Sequence, residues 1–181
     1  AVAPSLPYPM VIKPLVSRHW RRSDVVAVMG KAVKAVVVHT PQELAAVYDK
    51  VAPLTPQLMV QEIVAGGTDR LLTFLGYVGR DGKTLAGCVR KKLRQFPPGF
   101  GYCCLTETVI DAEIMDLSVR LVERLGFRGI VGVEFMRDAR DGRAKLIEIN
   151  ARAVRTTGAA IGAGVDLPWI AYQDFTSAAP P

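Results

Sequence analysis

The sequence predicts an α+β fold built mainly from antiparallel strands with a few flanking helices, and three observations predict it. Short runs rich in β-branched residues are separated by the tight-turn dipeptides Asp81-Gly82 and Asp141-Gly142, which join neighbouring antiparallel strands. Helical patterns are few and do not alternate with strands as a wound βαβ sheet would require. Half of the 181 residues are hydrophobic and 22% are charged, enough for one compact core or two small lobes.

Each element has its own signal. Residues 10–14 (MVIKP) read as a strand ended by proline, and a basic loop follows around residues 18–24. Residues 34–39 (KAVVVH) read as a second strand. Thr40, Pro41 and Glu43 form a capping-box pattern with proline at the first helical position, opening a helix that runs to about Val51. Residues 58–64 read as a strand broken by AGGT. Residues 70–79 and 84–95 flank Asp81-Gly82 as a hairpin, and residues 102–109 add a strand. Asp111 is a good N-cap for a helix whose apolar residues follow helical spacing until Gly126. Residues 130–136 and 146–150 form a closing hairpin, and residues 156–165 and 167–175 read as two short helices.

Composition narrows the function. The net charge is +6, with basic clusters at residues 17–22, 90–94 and 152–155, so a polyanionic partner is favoured. Nucleic acid is disfavoured within that class, because zinc-finger spacing, a basic helix leading into heptads and an aromatic-rich RNA signature are all missing. A nucleotide fits equally well. No apolar run approaches the ~20 residues of a membrane span, and the opening AVAPSLPYPM has no signal pattern. Three cysteines cannot complete an even disulfide framework, so a reducing, cytoplasmic setting is expected, with Cys103 and Cys104 as buried strand residues. The start at Ala1 and the ending TSAAPP suggest a piece of a longer chain, with residues 176–181 as tail or linker. Neither GxxxxGK[ST] nor GxGxxG occurs.

The stretch 132–152 (GVEFMRDARDGRAKLIEINAR) raises the sharpest question. If its hairpin has an odd loop centred on Asp141, Glu134 faces Glu148 and Gly132 faces Asn150, so both carboxylates and the amide share one face. Val133, Phe135, Ile147 and Ile149 then form an apolar opposite face, and a one-residue slip would put Glu148 beside Phe135. Two like charges directly opposite repel, and a cation relieves the conflict. Two carboxylates and an amide, without a nearby imidazole or thiolate, suit Mg²⁺ with a phosphate ester. Spacing alone equally allows a solvated face whose glutamates pair with Lys145, Arg143 or Arg152. Glycoside hydrolysis by paired carboxylates lacks an aromatic sugar platform.

These residues resemble the ATP-grasp superfamily, in which a glutamate on one strand precedes an E-x-N-x-R motif on the next. The resemblance extends to YPMVIKP, similar to the strand with a phosphate-binding lysine, and to LMVQEIVAGGTDRL, similar to the hinge strand and adenine-binding segment. It covers roughly residues 7–174. It implies an ATP-dependent ligase that activates a carboxylate as an acyl phosphate for attack by an amine, forming a C–N bond. Residues 1–64 would form a small nucleotide-clasping lobe and residues 65–175 a large lobe with the metal and phosphate site.

By the resemblance, Lys13 contacts the nucleotide phosphates, Glu62 sits by the adenine amino group, the Val64 backbone pairs with the ring and Asp69 binds ribose. Glu134, Glu148 and Asn150 hold Mg²⁺ or Mn²⁺, Arg152 stabilises the transferring phosphoryl group, and Lys91 and Arg94 line the phosphate side. The implied cofactors are ATP and Mg²⁺, and the partners are small-molecule carboxylate and amine substrates and an upstream domain of the same chain; a homodimer is compatible. The texture of RKKLRQFPPGFGYCCLTETV is similar to carbamoyl-phosphate synthase large subunits and D-aspartate ligases. The sequence departs from the family at the lid position, SRHWRRSDVVAVMGK instead of a glycine-rich loop, and at Ala151 instead of proline. By the same resemblance His19 and Trp20 are expected in the lid or on the surface. Two alternatives remain at this level: an ATP-binding regulatory module without ligase activity, and a basic nucleic-acid-binding domain.

Overall fold

A computed structural model describes residues 6–177. The chain divides into two compact units, Ala1–Ile63 and Val64–Pro181, each with its own sheet and core.

In the first unit, β1 (Met10–Pro14) lies between β2 (Val36–Val38) and β3 (Leu58–Glu62), antiparallel to both. Helix α2 (Pro41–Val51) has the expected bounds. Thr40 Oγ1 accepts from Glu43 N at 3.1 Å, and Glu43 reaches back to His39 N at 2.8 Å. The expected basic loop is instead a 3₁₀ turn (Ser17–Arg21) followed by α1 (Ser23–Met29). Trp20, expected in a lid or on the surface, is buried with Met10, Ile12, Val25, Val38, Leu44 and Val51. Its neighbours Arg18, Arg21 and Arg22 stay exposed, so the stretch is basic outside and apolar inside.

In the second unit five antiparallel strands run in the order β6–β5–β4–β7–β8. They are β4 (Leu71–Val78), β5 (Thr84–Phe96), β6 (Tyr102–Val109), β7 (Gly129–Arg137) and β8 (Ala144–Asn150). The central β4 is buried along its whole length, as a strand covered on both faces must be. On one face α3 (Ala112–Arg124) covers Leu72, Phe74, Val89, Val131, Val133 and Phe135. The Asp111 cap forms as expected, Oδ1 accepting from Ile114 N at 3.1 Å, and Arg137 at the end of β7 binds the same carboxylate at 2.8 Å. On the other face Leu75 and Tyr77 pack with α4 (Thr157–Gly162) and α5 (Leu167–Thr176) through Ala160 and Leu167. Cys104 is exposed rather than buried, because β6 is an edge strand that no helix covers along its length.

Two details hold this scaffold. The Tyr77 hydroxyl donates to Asp174 Oδ2 at 2.8 Å, and Arg80 donates to the same carboxylate from its backbone at 2.9 Å and from Nε at 3.2 Å, tying α5 to the sheet. Burial, with Asp174 beside it, pushes the Tyr77 phenol up to about 12. Burial raises the Asp174 carboxyl as well, but these hydrogen bonds overrule it and hold the carboxyl below its ordinary value. The second detail explains glycine in mid-strand. Gly76 and Gly87 pair across β4 and β5 beneath the buried Phe74 ring, and a Cβ on either would run into that ring. Gly87→Ala is therefore expected to cost about 1–3 kcal/mol of stability through overpacking. Urea unfolding measures it, and an unchanged midpoint would contradict the account.

Candidate functional site

The β7–β8 hairpin places the two glutamates as its sequence requires: Glu134 is directly opposite Glu148, and Gly132 is opposite Asn150. Toward the turn the expected register fails. A bulge lies between Glu134 and Phe135, so Phe135 faces Leu146 and Arg137 faces Ala144. The turn chemistry explains the shift. Asp138 accepts from Arg140 N at 2.9 Å, Gly142 N bonds Asp138 O at 2.8 Å, and Gly142 has φ +71°. These bonds close an even loop where the apolar pattern asks for an odd one, and the extra residue is absorbed as a bulge. Ile147 consequently packs with Val64, Leu71 and Met136 instead of joining Val133 and Phe135, and Ile149 is exposed on an edge strand.

The turn is anchored electrostatically. The Asp138 side chain has no exposed surface and binds Arg140 Nη2 at 2.5 Å and Lys145 Nζ at 2.7 Å. Arg140 first, and then Lys145, holds its carboxyl well below the usual carboxylate range.

Across the sheet the register makes a transverse row. Arg90 on β5 pairs with Thr73 on β4, Thr73 with Glu134 on β7, and Glu134 with Glu148 on β8. Thr73 Oγ1 donates to Glu134 Oε2 at 3.3 Å, and Lys92 Nζ lies 3.2 Å from the same oxygen. Lys92 and Glu134 are largely buried, with side-chain exposures of 7% and 14%. The buried Arg90 contacts Cys103 Sγ and Thr106 Oγ1, each at 3.4 Å, while its Nε has no partner among the described residues. At the open edge Asn150 Nδ2 donates to Glu148 Oε1 at 2.8 Å, and Arg152 Nη2 donates to Asn150 Oδ1 at 3.3 Å. Of the cations weighed as partners of the glutamates, Lys145 is engaged by Asp138 and Arg152 by Asn150. The counter-ion of Glu134 is Lys92.

The structure thus brings Glu134, Glu148, Asn150 and Arg152 together. It does not bring Lys91 to them. Lys91 is paired opposite Leu72, on the α3 side of the sheet, and binds Glu107 at 2.8 Å, which raises the Lys91 ammonium above its ordinary value. Arg94 is exposed between the two register irregularities of β5. Val64 is buried with Leu71 and Met136, and Asp69 is exposed in a 3₁₀ turn (Thr68–Arg70). In the first unit Lys13 donates to Gln61 Oε1 at 2.6 Å, and Glu62 pairs with Met10. Sequence reasoning missed Lys92, Arg90 and Thr73. Pairing the hairpin about Asp81-Gly82, which sets Thr73 opposite Arg90, would have placed all three on one face, and the pairing of Thr73 with Glu134 makes that the glutamate face.

As a donor set, Glu134, Glu148 and Asn150 offer only hard oxygens and fit Mg²⁺ or Mn²⁺. Among the described residues no group of three or more His, Cys, Asp or Glu could hold a metal, so an ion here would need Asn150, water or phosphate to complete its shell.

The mixed α+β architecture with antiparallel sheets and flanking helices matches ATP-grasp folds of known structure. N5-carboxyaminoimidazole synthetase of Staphylococcus aureus is similar with a TM-score of 0.63 at 12% identity, over 98% of this chain and 43% of that one. Biotin carboxylase of Campylobacter jejuni, in a β-γ-ATP complex, is similar with a TM-score of 0.62 at 13% identity, over 97% and 38%. The biotin carboxylase domain of Hydrogenobacter thermophilus 2-oxoglutarate carboxylase, a complex with MgADP and bicarbonate, has a TM-score of 0.60 at 14% identity, over 89% and 35%. Likeness at these identities concerns the fold, and the chain spans less than half the length of each. The family follows from sequence: the model described as "ATP-grasp in the biosynthetic pathway with Ter operon" matches residues 77–181, and the chain belongs to this ATP-grasp family. No curated protein sequence matches the chain.

The Asp138 anchor gives a pH signature. A carboxyl held below its ordinary ~3.9 contributes stability that is fully present above that pH and is lost as pH falls toward the folded-state value. Asp138→Asn is expected to lower the unfolding free energy near neutral pH, with the gap to wild type narrowing below about pH 4. Denaturant unfolding across pH measures this, and a pH-independent gap would contradict it.

Proposed function

We propose that this chain is the nucleotide-binding, catalytic part of an ATP-dependent carboxylate–amine ligase. The observation that supports it most is the convergence of Glu134, Glu148 and Asn150 on one sheet face, with Lys92 and Arg152 beside them. Membership of an ATP-grasp family supports the same reading, as does a fold shared with nucleotide complexes.

Glu134, Glu148 and Asn150 would hold Mg²⁺ or Mn²⁺. Such an ion, when bound, supplies positive charge to phosphate oxygens. The remaining work falls to the chain's own side chains, because phosphoryl transfer asks a protein mainly for positioning and charge neutralisation. Arg152, exposed and oriented by its bond to Asn150, offers its guanidinium to the phosphoryl group. In the first unit, the small lobe, Lys13 and Glu62 are proposed as phosphate and adenine contacts, and Val64 and Asp69 as adenine and ribose contacts. These four rest on family resemblance. Small-molecule carboxylate and amine substrates, activation through an acyl phosphate and a branch near carbamoyl-phosphate synthase and D-aspartate ligase are parts of the same proposal. Three free cysteines support a reducing cytoplasm.

In the full-length protein Glu148→Gln is expected to reduce Mg²⁺-dependent ATP turnover by about 100-fold or more, since even loss of a residue supporting a metal ligand costs roughly 10–100-fold. Unchanged turnover would remove the proposal. Nucleotide binding without ADP release stimulated by any of a panel of amino acids and peptides would favour a regulatory module instead.

A further inference from the structure

We infer that Lys92 is a built-in competitor for the cation site, so that a divalent metal binds more tightly together with a polyphosphate than alone. The inference rests on the proposed metal site and adds a residue and a binding order to it. Its basis is the pair of Lys92 Nζ with Glu134 Oε2 at 3.2 Å, formed where both side chains are nearly buried. A charge in such a place needs a partner, since leaving either member alone is costly. Lys92 fills the role that the opposed glutamates would otherwise leave to a metal.

A divalent ion arriving alone at Glu134 must displace this ammonium, which then stands unpaired next to a second cation. Arg90, two residues along the same strand, makes the conflict worse. It is buried, contacts only a thiol and a hydroxyl through Nη1, and has an Nε without a partner among the described residues. Among the described residues this face therefore holds the two buried cations against one nearly buried carboxylate, with Glu148 exposed at the edge. Metal alone increases the positive excess, whereas metal with a polyphosphate reverses it and gives the released Lys92 ammonium a new anion. Each component thus raises the affinity of the other, and linkage makes the effect reciprocal. Lys92 stands on the glutamate face, distinct from Lys91 on the opposite face.

The test is direct Mn²⁺ binding to the full-length protein, by titration calorimetry or by electron paramagnetic resonance of free Mn²⁺, with and without β,γ-imido-ATP. For wild type the analogue should strengthen Mn²⁺ binding by roughly 5- to 150-fold, the span of typical coupling between ligands. Lys92→Met should bind Mn²⁺ alone more tightly than wild type and show a smaller enhancement by the analogue. Lys92→Arg, which keeps the charge, should retain weak binding of Mn²⁺ alone and a large enhancement. If Lys92→Met does not fold, Lys92→Gln takes its place in the same measurement. Equal or weaker Mn²⁺ affinity after charge removal would overturn the inference, and so would a wild type indifferent to the analogue. Glu148→Gln is the control for the site itself. Undiminished Mn²⁺ binding in that variant would show that the metal lies elsewhere, a failure of the underlying site and not of Lys92 alone.

Discussion

Two carboxylates held face to face, Glu134 on β7 and Glu148 on β8, are the constraint around which the second unit is arranged. Like charges opposed across an antiparallel pair weaken it, so the surrounding sheet must compensate. It does so from a distance in sequence. Lys92 reaches Glu134 from β5, with Thr73 of the intervening β4 donating to the same carboxylate. Glu148, at the edge, takes the Asn150 amide. The two glutamates thus have different surroundings, one nearly enclosed and one open.

Packing makes that arrangement persistent. The central strand β4 is covered on both sides, by α3 and by α4 with α5, so the position of Thr73 is set by the core and not by the polar row. The Phe74 ring over Gly76 and Gly87 locks β4 against β5, which fixes where Lys92 stands relative to Glu134. Arg137 clamps the far end of β7 to the N-terminus of α3, and the Asp138 turn clamps β7 to β8. Each clamp pairs a carboxylate with an arginine or lysine close to the end of a strand, where hydrophobic packing is thinnest.

How much of this was legible in the sequence depended on how local the cause was. The bounds of α2 and the start of α3 followed from caps that sit within three residues of the groups they satisfy, Thr40 with Glu43 and Asp111 with Ile114. The facing of Glu134 and Glu148 followed from alternation within one hairpin. The bulge did not, because it arises from a contest between the apolar pattern and the hydrogen bonds of Asp138, and alternation reports only the first. Ile147 was misplaced for the same reason, whereas Ile149 lies opposite Val133 as alternation requires and is exposed because β8 is an edge strand. Lys92 was overlooked because its position depends on two successive registers, β5 on β4 through a tight turn and β4 on β7 across the intervening β5, β6 and α3. In the first unit the arginines around Trp20 gave a loop-like texture to a segment whose one large apolar residue belongs to the core. Cys104 illustrates the converse, an apolar-looking strand residue left exposed because its strand is at the edge.

The central claim is that the glutamate row holds a divalent cation and that Lys92 yields its place to it. A crystal structure of the full-length protein with Mn²⁺ and a non-hydrolysable ATP analogue, using anomalous scattering to locate the manganese, tests this most directly. The account requires an anomalous peak about 2.1 Å from oxygens of Glu134, Glu148 and Asn150, with the Lys92 ammonium turned to a phosphate oxygen. Manganese bound away from these side chains, or Lys92 still seated on Glu134 beside a bound ion, would contradict it.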